Sequence, residues 1–195
     1  MATNNNDDRL KLNKRCILIL GGARSGKSRF AQELAAKLGD MVLFVATGEP
    51  LDEEMHLRIE RHKENRPKSW QTVESPTNIG QVIQEQIGDA RVVVIDCLTL
   101  LISNLLTMED DLSDAEERVD AEISGLTRCM DKSNATFIIV SNEVGMGLVP
   151  DNRLGRTYRD LLGRANQLVA QRADEVYLML AGIPLELKSL RKGEA

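Results

Sequence analysis

The chain has 195 residues, 42% of them hydrophobic and 28% charged, a composition that suits one α/β domain with a sizeable core and leaves little room for a second unit. Its formal charge of −5 argues against non-specific affinity for nucleic acid or anionic membrane, so small molecules are the expected partners. No apolar run reaches the ~20 residues of a membrane span, and the opening residues are polar; a cytoplasmic protein is expected, with a disordered leader over 1–14 and one domain over 15–190.

Residues 16–20 form a short continuous apolar run of the kind a buried parallel strand shows, and residues 29–38 read as a helix. Between them Gly21, Gly22, Ala23, Arg24, Ser25, Gly26, Lys27 and Ser28 match G-x-x-x-x-G-K-[ST] in full. In that setting the glycines let the backbone bend and turn its N–H groups toward an anion, the helix N-terminus adds positive potential, and Lys27 reaches the outer phosphates. Ser28 is then placed to ligate Mg²⁺. The motif says that a nucleotide binds, and leaves open which one and what becomes of its phosphates.

Residues 41–47 give a second apolar run, closed by the breakers Gly48, Glu49 and Pro50. A helix is expected over 51–65, a short strand over 70–74 and a modest helix over 78–87. The most hydrophobic strand follows at 91–95 and ends on Asp96, an acidic position that in NTPase sites holds the Mg²⁺ water shell. Further helices are expected over 98–106, 114–130 and 156–172, a buried strand over 136–140, and a last strand pair at 176–180 and 183–187 around Ala181 and Gly182. Cys16, Cys97 and Cys129 lack C-x-x-C spacing and read as reduced core residues.

Strands alternating with helices imply a mainly parallel sheet covered on both faces, a C-terminal antiparallel edge strand, and ligands beyond the carboxyl ends of the strands. That edge collects the phosphate loop, Thr47 to Glu49, Asp96 with Thr99, and Asn142 with Glu143. His56 and His62, six residues apart, project roughly 120° from one another on a helix and cannot jointly hold a metal. A single histidine near a nucleotide can still be a covalent nucleophile toward phosphorus, although surface histidine is the plain reading of both from spacing alone. Arg58, Arg61, Lys63 and Arg66 offer cations to offset developing charge. Three readings stand at this point: a transferase with a histidine intermediate, a plain small-molecule kinase without one, and an NTP-binding switch module.

The loop Gly21 to Ser28, Ala46-Thr47, the acidic Asp52-Glu53-Glu54, Arg58-Ile59-x-x-His62, Arg66-Pro67 and Trp70-x-Thr72-x-Glu74 resemble the bifunctional adenosylcobinamide kinase/adenosylcobinamide-phosphate guanylyltransferase family of cobalamin synthesis. The likeness continues through Asp96-Cys97-Leu98-Thr99, Asn104-Leu105-Leu106, the run from Ser141 to Pro150, and Arg159-Asp160-x-x-Gly163-x-x-Asn166-Gln167. The resemblance implies a P-loop NTPase fold and two reactions: phosphorylation of the cobinamide hydroxyl by ATP or GTP, then GMP transfer from GTP to give adenosylcobinamide-GDP and pyrophosphate. It implies that GMP rides on His62, which fills the family's histidine position here, with Arg61 before it where some members have a second histidine. Gly48, Glu49, Pro50, Arg66, Glu74 and Thr99 join the loop as the candidate nucleotide-binding set, Ser28 and Asp96 as the Mg²⁺ ligands, and a homotrimer is the implied assembly.

Overall fold

The computed structural model describes residues 14–49, 53–64, 66–108 and 111–190. The elements run β1 (Cys16–Gly21), α1 (Lys27–Leu38), β2 (Val42–Ala46), α2 (Glu53–Glu64), β3 (Gln71–Glu74), α3 (Ile79–Gln86), β4 (Val92–Asp96), α4 (Leu98–Thr107), α5 (Ala115–Lys132), β5 (Thr136–Val140), α6 (Arg153–Arg172), β6 (Glu175–Leu180), β7 (Ile183–Glu186) and α7 (Leu187–Leu190). The strands form one sheet in the order β3-β2-β4-β5-β1-β6-β7, parallel throughout except for the antiparallel β7. The expected mainly parallel sheet and antiparallel edge strand are both present.

Continuous apolar runs form the central strands because both faces of the sheet are covered, and period-two alternation then divides the core. Leu18, Leu43, Val45, Val93, Ile95, Phe137 and Ile139 face one layer, packed by Ile79 and Ile83 of α3, Leu98 to Leu106 of α4, and apolar residues of α5 and α6. Ile17, Ile19, Val42, Phe44, Val92, Val94, Ile138 and Val140 face the other, covered by Ala31 and Ala35 of α1 and by Trp70. Strand order interposes β4 and β5 between β1 and β2, so the chain crosses back over itself beside β1, and a crevice opens at the strands' carboxyl ends.

Most element boundaries fall within two residues of the sequence expectation, and two features depart further. Helix α6 starts at Arg153 rather than 156, because the Asn152 side chain accepts the Gly155 N–H at 2.7 Å and caps the turn that had read as loop. The short α7 follows the final strand, where only a strand end was expected. Of the expected leader only Lys14 is described, donating through Nζ to the Asp131 carbonyl at 2.7 Å; residues 1–13 lie outside the described residues.

Helix α3 is capped from a distance. Asn78 at its N-cap makes no side-chain cap bond, and the carboxylate of Glu122 on α5 instead accepts the N–H groups of Asn78 and Ile79, each at 2.8 Å. A buried carboxylate is thereby matched to the positive end of a helix that would otherwise leave two donors unpaired. Glu122→Ala is expected to destabilise the fold by about 1–3 kcal/mol in urea unfolding at unchanged m, while Glu122→Gln, which keeps one acceptor oxygen, costs less.

Candidate functional site

The turn from β1 into α1 is shaped by two glycines. A Cβ on Gly21 would stand 2.7 Å from both the Met179 carbonyl oxygen and Ser25 Oγ, and Gly26 sits at φ 94°, a left-handed conformation that L side chains rarely adopt. The loop is braced from the far edge of the sheet, where the Gly182 N–H in the β6–β7 turn donates to the Ser25 carbonyl at 3.0 Å. Lys27 is 7% exposed, and its Nζ donates to the Gly22 carbonyl at 2.6 Å, so the ammonium is held within the concavity of the loop.

The facing wall is built from the ends of β2 and β4. Thr47 Oγ1 donates to the Cys97 carbonyl at 2.7 Å and accepts the Cys97 N–H at 2.8 Å, which locks the residue after Asp96 to the residue after β2. Asn104 of α4 reaches back with Nδ2 to the carbonyls of Thr47 at 2.8 Å and Pro76 at 3.0 Å. Asp96 therefore stands at the end of a strand whose following turn is tied on both sides. The Asp96–Cys97 peptide is cis.

The third wall carries an unusual cation. The guanidinium carbon of Arg66 lies 3.8 Å from the centroid of the Phe44 ring, which itself stacks on Trp70 with centroids 6.4 Å apart and planes at 24°. Arg66 Nε and Nη1 are buried and have no hydrogen-bond partner among the described residues. Burial pulls the Arg66 pKa below its ordinary value, and the carboxylates of Asp96 and Glu74 pull against that shift. Lys63, in the last turn of α2, pairs with Glu74 at 2.8 Å and Glu60 at 3.3 Å, which ties α2 to the end of β3.

These walls enclose a cavity of about 710 Å³ at the carboxyl edge of the sheet. Among the sequence-predicted residues it is lined by Arg24, Ser25, Gly26, Lys27, Ser28, Gly48, Arg66, Glu74, Asp96 and Thr99. Gly21 is buried beneath the loop, while Gly22, Ala23 and Glu49 are exposed outside the lining. Pro50 lies outside the described residues, as do the side chains of His62, Arg58 and Arg61; the His62 position falls on α2 between Ile59 and Arg66, both of which line the cavity. Sequence reasoning did not place Leu57, Ile59, Leu100 and Val140 here, because each reads as ordinary helix or strand core until the elements are brought together. A second cavity of about 620 Å³ lies at the opposite end of β4 and β5, by Gly88 to Arg91 and Ser133 to Ala135, and has no comparable convergence of charge.

A loop that binds phosphate, a carboxylate and a hydroxyl on hard oxygen, and a stacked cation together describe a site for a polyanionic ligand with a flat or apolar portion. A family model described as cobinamide kinase / cobinamide phosphate guanyltransferase matches residues 17–187. The bifunctional adenosylcobalamin biosynthesis protein CobU of Escherichia coli K12 is 42% identical over 182 residues, covering 88% of this chain and 99% of that protein. Its Salmonella typhimurium counterpart is 40% identical with the same coverage. The bifunctional adenosylcobalamin biosynthesis protein CobP of Pseudomonas aeruginosa is 42% identical over 171 residues, covering 88% of this chain and 96% of that protein. Among solved structures, an ATPase domain superposes with a TM-score of 0.51 at 14% identity over 93% of this chain and 72% of that one, a likeness of fold alone.

All three cysteines are free thiols. Burial, with the Asp96 carboxylate adding to it, pushes Cys97 up to about 11, and burial with Asp174 pushes Cys16 up to about 12; burial also raises Cys129. A raised thiol pKa means less thiolate, the reactive form. Native protein treated with iodoacetamide at pH 8 is expected to stay unmodified by intact mass, and to take up three adducts in denaturant.

Proposed function

The chain belongs to the cobinamide kinase / cobinamide phosphate guanyltransferase family, and from that membership we propose that it carries out both reactions in one cavity, with His62 as the carrier of GMP. The observation that carries the reading is the convergence of Lys27, Ser28, Asp96 and the stacked Arg66 on the same 710 Å³ cavity at the end of a helix that bears a histidine.

In the kinase step the adenosylcobinamide hydroxyl attacks the terminal phosphorus of ATP or GTP. An O–P bond forms, the bridging P–O bond breaks, the hydroxyl proton is lost and the nucleoside diphosphate leaves. Such a transfer needs positioning and charge stabilisation more than covalent help. Loop N–H groups and Lys27 cradle the outer phosphates, and the Arg66 guanidinium, over the Phe44 ring at the cavity wall, adds positive potential for the same anion.

In the second step the imidazole of His62 attacks the α-phosphorus of GTP, forming P–N and expelling pyrophosphate. The phosphate oxygen of adenosylcobinamide phosphate then attacks that phosphorus, the P–N bond breaks, and adenosylcobinamide-GDP is formed. Lys63 beside His62 is engaged with Glu74, so α2 is anchored at the cavity where the nucleophile is needed.

Mg²⁺ suits the donors present. The described residues contain no cluster of three or more carboxylate, histidine or cysteine groups able to hold a metal unaided, while the Ser28 hydroxyl and the Asp96 carboxylate line the same cavity. One carboxylate plus a hydroxyl, completed by substrate phosphates and water, is a typical Mg²⁺ set. When bound, the ion neutralises phosphate charge. The family expectation of a cytoplasmic homotrimer belongs to the same proposal, and light scattering coupled to gel filtration tests the assembly.

Lys27→Ala is expected to lower kcat of both reactions by roughly 100-fold or more, and Asp96→Asn to weaken the Mg²⁺ dependence at unchanged fold; near-normal turnover or an unaltered Mg²⁺ titration would remove these roles. The two half-reactions separate at the histidine. His62→Ala and His62→Asn should abolish the acid-labile GMP adduct and adenosylcobinamide-GDP formation while phosphorylation of cobinamide survives. His56→Ala, on an exposed position of the same helix, should keep both. Each variant is incubated with GTP labelled at the α-phosphate, denatured and counted: label retained by the His62 variants, or lost with His56, refutes the assignment, and no label in the wild type leaves a plain kinase.

A further inference from the structure

Two sequence motifs find no use in the scheme above, the loop opening Ser141-Asn142-Glu143 and the α6 run that includes Asn166. The sheet register brings them to the site. Strand β5 lies between β1 and β4, and its Val140 pairs with Ile19 of β1 on one side and Asp96 of β4 on the other. Past the strand end the Ser141 N–H donates to the Ile19 carbonyl at 2.9 Å and the Glu143 N–H to the Gly21 carbonyl at 3.1 Å. Asn142, between them, is thus fastened between the start of the phosphate loop and the Asp96 turn, and it lines the cavity with Lys27 and Asp96.

The backbone of Asn142 is held on both sides. Its N–H donates to Thr99 Oγ1 at 2.7 Å, and its carbonyl accepts Asn166 Nδ2 at 3.0 Å. Neither bond uses its amide side chain. Tyr158 of α6 adds a longer strut, donating to the Thr99 carbonyl at 3.4 Å. Asn166 itself is 6% exposed, and its Oδ1 is buried with no hydrogen-bond partner among the described residues. A buried amide with half its hydrogen-bonding capacity unmet costs stability, and an apolar side chain would fill that place without the cost. Fixing the Asn142 carbonyl is what the amide accomplishes there.

We propose that Asn142 contacts the terminal phosphate of the bound nucleoside triphosphate, and that Asn166 is a positioning residue that aims it from α6. A neutral amide fits this place: set between the Lys27 cation and the Asp96 anion, it donates to a phosphate oxygen without altering the charge balance that holds phosphate and metal. The proposal rests on the cavity being a nucleoside triphosphate site and is independent of the identity of the acceptor and of His62.

The test compares two ligands differing at the terminal phosphate, GDP and a GTP analogue with a methylene bridge between its α and β phosphates, titrated calorimetrically with Mg²⁺ into wild type, Asn142→Ala, Asn166→Ala and the double variant. Asn142→Ala should weaken the triphosphate analogue about tenfold and leave GDP within about twofold, the scale of one hydrogen bond to a charged group. Asn166→Ala should show the same selectivity to a lesser degree, and the double variant should be no worse than Asn142→Ala, because one residue acts through the other. Equal losses for the two ligands, losses that add in the double variant, or unchanged affinities overturn the proposal. If Asn166→Ala does not fold, Asn166→Leu, which fills the volume without a donor, carries the same comparison. A wild type that binds neither ligand defeats the nucleotide reading and this proposal with it; wild-type binding with an unchanged ratio in the variants defeats the proposal alone.

Discussion

A parallel strand buried on both faces can offer chemistry only where it ends. In β1, β2, β4 and β5 every position between the ends is committed to one of the two core layers, so polar side chains have no place until the strands run out. The carboxyl ends of those strands are also where the next turn must expose backbone N–H groups before a helix begins. Sterics and burial thus put Lys27, Asp96, Thr99 and Asn142 on one edge before any chemistry is considered. The helices behind the sheet then act as clamps: Asn104 of α4 and Asn166 of α6 both reach forward with amide groups to fix carbonyls of edge turns.

The electrostatics of that edge follow from how Arg66 is stored. A guanidinium placed over the Phe44 ring, which is backed in turn by Trp70, trades hydration for the ring face. The nearby carboxylates of Asp96 and Glu74 offset part of the cost of burial without a direct ion pair to Arg66 among the described residues. A lysine there would lose the planar guanidinium face that the ring accepts.

Much of the edge was legible because its signals are local. The phosphate loop is a contiguous motif between a strand pattern and a helix pattern, and Asp96 closes the most apolar run of the chain. Strand order was not legible, since the pairing of Val140 with both Ile19 and Asp96 depends on contacts far apart in sequence. Phe44 read only as core, and nothing in its neighbourhood announces that its ring meets Arg66. The start of α6 was hidden in a stretch that looks like loop, because Pro150, Asp151 and Asn152 are turn formers and cap formers alike. Glu49 shows the limit of proximity in sequence: it follows Gly48, which lines the cavity, yet it faces solvent.

The brace from Gly182 to the Ser25 carbonyl gives the phosphate loop a dependence on the order of synthesis. A ribosome makes the loop before the turn that supports it, which precedes β7 and α7. Strand β1 likewise waits for β5 and β6, its neighbours on either side. The loop motif by itself is therefore not yet the site: its geometry is completed by β5, β6 and the β6–β7 turn, all of which lie later in the chain than the motif.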